Sequence, residues 1–395
     1  MAVNPFVWSR PLDDPAKIVG MDGFAREVAL TLKGQTNVAL FGPRDTGKTT
    51  FTTQLARELE RDHGADAPPH VVIRVNLERA FSVPAFIACV HDAMVRHPAR
   101  AIQREARRQL SALEKELGFD IKVVKGAVRR SGVTPAQDAE ALHAALASLA
   151  RLGDRVDVVF DEFQRLHRCP GDPLAIIRSA LMGPGTDHVS LLMTGSIREA
   201  LELMLSSSRE PIFGEAAHME LPDIPEVEFL EYLEFQFEAT AREAPEEALL
   251  HLLALTSNHP KRTQQLAWGV WNAAARRRRP MTIDLVDEVY EEALDGPDAG
   301  EFQATVGLLS AGGEAEANEV RALFLLADRG GENVTARDVV GLYGFGARSV
   351  ITPALERLRA KGLAVRRGRR WRIADPFFAG WLQRHSPLAL RAEDV

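Results

Sequence analysis

"NVALFGPRDTGKTTFTTQL", residues 37–55, is the stretch that decides the fold. Its first five residues are short and apolar, as a buried parallel strand should be, and Phe51, Leu55 and Leu59 recur at helical spacing behind it. Between them stand Gly42, four residues, then Gly47, Lys48 and Thr49, the spacing of a loop that wraps phosphate in backbone N–H groups. Such a loop works only between a strand and a helix, because the positive end of the helix must face the phosphates. The order found here predicts that Gly42, Pro43, Arg44, Asp45, Thr46, Gly47, Lys48, Thr49 and Thr50 cradle a nucleoside triphosphate. Lys48 would bridge its β- and γ-phosphates, and Thr49 would offer its hydroxyl to Mg²⁺.

Working outward, a second apolar run, "VDVVFDEFQRL" (156–166), ends in Asp161 and Glu162. A carboxylate at the tip of a buried strand is costly unless a cation waits there. Asp161 therefore reads as a Mg²⁺ ligand acting through water, and Glu162 as the general base that polarises an attacking water. Three further strands are expected at "HVVIRVNL" (70–77), "VSLLMTGS" (189–196) and "AHMELP" (217–222). The segments between them are long enough for crossover helices, so the expected product is an α/β, three-layer domain with a five-stranded parallel sheet. Ligands on such a sheet sit at the carboxyl ends of the strands, where Thr194 or Ser196 would touch the γ-phosphate or the attacking water.

At 395 residues, the chain is long enough for two or three domains. A net charge of -7 argues against coating nucleic acid with the whole surface and confines any such contact to one region. No apolar run spans a bilayer and the N-terminus lacks a secretory pattern, so a cytoplasmic protein without membrane contact is expected. Cys89 and Cys169 are too few for a disulfide framework, and "HRC" at 167–169 reads as a surface loop.

With these residues in hand, the chain resembles the AAA+ and STAND-like P-loop ATPases, in particular the archaeal-type ATPase family related to origin-recognition ATPases, over most of its length. Members look like "GPRGTGKT", "DEFQ" and "TGS"; here the stretches read "GPRDTGKT", "DEFQ" at 161–164 and "TGS" at 194–196. The resemblance implies that "NPF" (4–6) and "IVGMDGFARE" (18–27) pack on the adenine, with Met21 where relatives carry arginine. It implies an arginine that reaches the γ-phosphate, for which Arg209 and Arg198 are the candidates, Glu215 standing where relatives have one. It also implies a helical lid over the nucleotide, in which Pro260 of "NHPKR" (258–262) fits the relatives' Gly-x-Pro and Asn258 does not, and Lys261 or Arg262 would sense the γ-phosphate.

Domains are expected at 1–222, 223–298 and 299–395. In the last, helix, short helix, glycine-bearing turn, longer helix and the alternating "LAVRRGRRWRIAD" describe a winged helix-turn-helix. Its wing gathers Arg366, Arg367, Arg369, Arg370 and Arg372 around Trp371, a stripe suited to phosphate contacts with DNA. Pro353 suits a recognition helix only if that helix begins at Thr352. The arginines at 276–279 read as complements to a helix dipole, and "RAIQREARRQLSALEKEL" (100–117) as a helix with Ile102, Ala106, Leu110, Leu113 and Leu117 on one face. The expectation is a Mg²⁺-dependent ATPase, slow without a partner, acting as a nucleotide-gated switch on DNA and assembling with copies of itself or another protein. The alternative is an ATP-gated signalling switch whose wing binds protein.

Overall fold

The computed structural model describes residues 3–12, 14, 17–61, 70–117, 134–196, 212, 214–277, 279–331, 334 and 336–386. The chain divides into two units. One comprises Met21–Gly42 and Lys48–Leu221; the other gathers Met1–Gly20, Pro43–Gly47 and Pro222–Val395.

In the first unit the chain runs α1 (Asp22–Lys33), β1 (Asn37–Phe41), α2 (Lys48–Arg61), β2 (His70–Asn76), α3 (Val83–Arg96), α4 (Arg100–Leu117), α5 (Pro135–Ala150), β3 (Arg155–Asp161), a 3₁₀ turn (Phe163–Arg168), α6 (Pro173–Leu181), β4 (Val189–Gly195) and β5 (Ala216–Glu220). The five expected strands form one sheet in the order β2-β3-β4-β1-β5, every pair parallel. Because both faces are covered, the strands read as nearly continuous apolar runs: Val38, Ala39, Leu40, Val156, Val158, Phe160, Leu191 and Leu192 are all fully buried. Helix starts follow local chemistry. Ser82 caps α3 through the Ala85 N–H, and Thr134 and Gln137 form a reciprocal capping box on α5.

Ile102 and Ala106 of α4 are buried as expected, while the side chains of Leu113 and Leu117 and all of residues 118–133 lie outside the described residues. The "HRC" expectation needs correction. His167 and Arg168 are exposed, but Cys169 is buried beside Leu166, and burial pushes its thiol up to about 11.

The second unit is helical: α7 (Glu226–Ala239), α8 (Glu246–Thr256), α9 (Pro260–Arg277), α10 (Ile283–Leu294), α11 (Ala299–Ser310), α12 (Glu314–Arg329), α13 (Arg337–Leu342), a 3₁₀ turn (Arg348–Val350) and α14 (Ile351–Ala360), then the antiparallel pair β6 (Ala364–Arg367) and β7 (Arg370–Ile373), and α15 (Pro376–Arg384). From α12 to β7 the elements follow the order of a winged helix-turn-helix. The segment expected as lid and the segment expected as winged helix belong to one unit.

The recognition-helix expectation also needs correction. The helix starts at Ile351 on a preceding 3₁₀ turn, so Pro353 is its third residue. First-turn N–H groups have no intrahelical acceptor, so a proline there forfeits no hydrogen bond. Glu319 of α12 is fully buried and answers two cations of α14 and its end, Arg357 at 2.8 Å and Lys361 at 2.6 Å.

Candidate functional site

Strand register assembles the first group. Phe41 pairs with Gly195 and Phe160 with Met193, which brings the carboxyl ends of β1, β3 and β4 side by side. Asp161, the last residue of β3, therefore neighbours Thr194 on β4. Its Oδ1 accepts from the Thr194 hydroxyl and its Oδ2 from the Thr49 hydroxyl at 2.8 Å. Lys48 opens α2; its ammonium is buried and donates to the Gly42 carbonyl at 2.7 Å. A lysine folded onto its own loop holds its charge in place at little further entropic cost. Gly47 has φ +88°, and a Cβ there would meet nothing closer than Pro260, at 3.9 Å.

The second group begins one residue past Asp161. Glu162 has φ +58°, a left-handed conformation uncommon for a residue with a side chain, and its N–H donates to Asp161 Oδ1 at 3.1 Å. That kink turns the chain from strand into the 3₁₀ turn. Gln164, in the turn, donates from Nε2 to Glu162 Oε2 at 2.7 Å and to Ser196 Oγ at 3.1 Å. Ser196 itself lies 3.4 Å from the same Glu162 oxygen. The sequence pointed to Glu162 and Ser196; Gln164 was inside the "DEFQ" stretch, but nothing in its spacing told which way its amide would turn.

The second unit holds a third group of predicted residues. Asp45 takes φ +63° where the resembling pattern has glycine, and Asn258 takes φ +54° where it again has glycine. Aspartate and asparagine tolerate this region better than other non-glycine residues, so both departures keep the backbone shape. Asp45 is held by the Lys261 ammonium at 2.7 Å. Burial acts against the Asp45 charge, yet Lys261, with His259 and Arg262 nearby, keeps its carboxyl below the usual range. Lys261 is thus committed to the loop's own acid.

Arg262 is buried, and its guanidinium is committed too. Nε lies 3.0 Å and 3.1 Å from the two oxygens of Asp375, Nη1 bonds Asp298 and Gln265, and the group lies 4.7 Å from the centre of the Phe377 ring. Burial drives His259 down to about 4; its Nδ1 accepts the Arg262 N–H at 3.3 Å, which places the proton of the neutral ring on Nε2.

Other expected residues fall elsewhere. Phe6 of "NPF" is buried against Tyr232 and Phe237 of α7. Met21 is buried beside α1. Glu215 pairs with Arg178 at 3.1 Å. Arg198 and Arg209 lie outside the described residues. Arg277, at the end of α9, pairs with Glu288 and, at 3.5 Å, with Glu292. In the β6–β7 hairpin, Trp371 is buried rather than displayed, with Arg366 stacked 5.5 Å from its ring. Asp223, which the sequence reading missed, takes both Arg372 and, at 3.5 Å, Arg367. Arg370 donates to the Gly330 carbonyl at 3.3 Å, whereas Arg369 is exposed at the two-residue tip.

The residues fit a small hard cation. One carboxylate and one hydroxyl converge at Asp161 and Thr49, and among the described residues no cluster of three His, Cys, Asp or Glu could hold a metal unaided. Mg²⁺ favours such sparse protein ligation completed by phosphate oxygens and water.

No protein-family profile matches the chain, and neither does any curated protein sequence. Solved structures do match. A Walker-type ATPase of Pyrococcus abyssi superposes with a TM-score of 0.63 at 16% identity, covering 95% of this chain and 99% of its own. The Aeropyrum pernix ORC2 protein, in ADPNP and ADP complexes, gives 0.55 at 15% identity over 95% and 94% of the two chains. Its ADP form gives 0.51 at 17% identity over 94% and 93%. The fold is that of the archaeal Walker-type and origin-recognition ATPases. In this fold the carboxyl ends of β1 and β3 flank β4, the point where the strand order turns back on itself and where open α/β sheets bind ligands. Among the described residues, no helix is long and apolar enough to cross a membrane.

Proposed function

We propose that the protein binds ATP with Mg²⁺ and hydrolyses it as a nucleotide-gated switch. The observation that carries this reading is the convergence of Thr49 and Thr194 on Asp161, next to a buried Lys48 at a helix start. Thr49 and Asp161 would hold the metal, which when bound neutralises charge on the triphosphate. Loop N–H groups and Lys48 bind the β- and γ-phosphates. Glu162 Oε1, which no described side chain engages, accepts the proton of the attacking water, while Oε2 is anchored by Gln164.

The test separates binding from chemistry. Lys48→Ala should lose at least about 100-fold in affinity for ATP, since a buried charge-assisted contact disappears. Glu162→Gln should keep that affinity and lower turnover by about 100-fold or more. Titration of a fluorescent ATP analogue and phosphate release measure the two; undiminished binding by the Lys48 variant sinks the proposal.

For a partner, the hairpin supports contact with the DNA backbone. Arg366, Arg367, Arg369 and Arg370 are the proposed contacts, and Arg369 leads because it is exposed without an acidic neighbour among the described residues. Arg369→Glu should weaken duplex binding and reduce the slope of log affinity against log salt by roughly one unit. Asp223→Ala, which removes the acid beside Arg372 and one acidic contact of Arg367, should act in the opposite sense. Fluorescence anisotropy at several salt concentrations measures both. Salt-insensitive capture of a protein partner, with no DNA binding, would favour the signalling-switch reading instead.

A further inference from the structure

The triangle of Glu162, Gln164 and Ser196 is closed by side chains alone and lies wholly in the first unit. Its geometry fixes the orientation of the Gln164 amide. A carboxylate can only accept, so the amide edge 2.7 Å from Glu162 Oε2 must be the NH₂ group. Both hydrogens of that group are then used, one on Glu162 and one on Ser196. The amide oxygen, by contrast, is buried and has no partner among the described residues. Leaving a buried acceptor unpaired is unfavourable, and such exceptions concentrate where a side chain is held for a purpose other than stability.

Three features make the arrangement a device for aiming Glu162. The residue sits on a left-handed backbone kink that alone would leave a long side chain free to swing. Gln164 comes from a 3₁₀ turn whose neighbours Phe163 and Leu166 are buried in the apolar core, so the amide is presented from a fixed platform. Ser196 follows directly on β4, whose Thr194 is bonded to Asp161. One oxygen of Glu162 is thereby tied to the end of β4, and the other is left for a water. A base held by a third group in this way resembles, in logic, the orienting partner of a catalytic histidine.

We infer that Gln164 is a positioning residue for Glu162: its amide ties the carboxylate to Ser196, so that the end of β4 and the water-polarising group move as one. The inference rests on the proposed hydrolysis for its catalytic meaning. Gln164 touches no reacting atom. Its loss lets Glu162 sample orientations that do not face the water, which lowers kcat and leaves nucleotide affinity alone.

Gln164→Leu keeps the volume and removes both donors. Its kcat should fall roughly 10- to 100-fold with KM and ATP affinity within about twofold of the parent. In a Glu162→Gln background the same substitution should cost nothing further, since the two act as one unit; a merely structural role would lower both backgrounds alike. A crystal structure of the Gln164→Leu protein without nucleotide gives a readout independent of turnover. The Glu162 carboxylate should leave Ser196 while the bonds from Thr49 and Thr194 to Asp161 persist. If the parent protein hydrolyses no ATP, the functional reading fails, and the crystal structure still decides the coupling. If the carboxylate stays in place in Gln164→Leu, or kcat is unchanged in a parent that does turn over, the inference is overturned.

Discussion

Gly331→Ala is expected to unseat the β6–β7 hairpin and lower the melting temperature of the helical unit by about 6–12 °C, corresponding to about 3 kcal/mol or more. A Cβ added at this position would lie 1.4 Å from the Trp371 carbonyl oxygen and 2.4 Å from its carbon. Both are backbone atoms of β7, so no side-chain rotation relieves the clash. The conformation adds to it: Gly331 has φ +80°, where an L-residue is strained by about 1–2 kcal/mol before any contact is considered. Gly330, at φ +60°, ends α12 in the same left-handed region, and its carbonyl receives Arg370. The two glycines let the end of α12 touch the wing backbone. Trp371 and Ile373 are buried, and a displaced β7 should expose the tryptophan. Thermal melting followed by circular dichroism, with tryptophan emission as a second probe, checks it. Nucleotide binding at the loop should be retained. A melting temperature within about 2 °C of the parent would show that the hairpin carries no such restraint.

How much of this was legible beforehand depends on the range of the interactions. The strands were, because a parallel strand covered on both faces must be apolar along its length, and "NVALF" and "VDVVF" announce that without context. The glycine-bearing turn between β1 and α2 was, because strand, turn and helix are contiguous in sequence. Asn258 looked like a misfit only while glycine was taken as a residue requirement; the requirement is a positive φ, which Asn258 meets, as does Asp45 where the resembling pattern has glycine. Gln164 was visible as a letter, but its role depends on a left-handed kink at Glu162 that no periodicity announces. The partners of the arginines were not legible at all. Arg372 meets Asp223 across 149 residues of sequence, and Arg262 meets Asp375 across 113. Charge patterning sees only neighbours, so it credited the wing with five free cations, and the resemblance implied a phosphate sensor at Lys261 or Arg262 without showing their acids. The fold supplies acids to several of them.

That difference makes Arg262 the most informative residue in the second unit. A cation that senses phosphate should be dispensable to folding and costly to nucleotide binding; a cation that ties helices together should show the reverse. The Arg262 side chain is 5% exposed, and its bonds to Asp375 and Asp298 are charge-assisted. Burial works against the charge, but the two carboxylates more than offset it, and the pKa is raised above the ordinary arginine value. Asp375 is in turn the cap of α15, accepting the Phe377 N–H at 2.9 Å, so the arginine of α9 and the start of α15 share one carboxylate. Arg262→Ala leaves two partly buried acids without their partner and an opening beside Phe377. The expected loss is about 3 kcal/mol, the low end for a broken buried pair because the acids retain some contact with water. Chemical denaturation without nucleotide measures it. The double variant Arg262→Met, Asp375→Leu should recover part of that loss, because it removes one of the two acids left without a partner and leaves only Asp298. Should Arg262→Ala instead unfold at the parental denaturant concentration while ATP affinity falls more than tenfold, the guanidinium must leave Asp375 for the phosphate when nucleotide binds, and its role as a tie within this unit would be refuted.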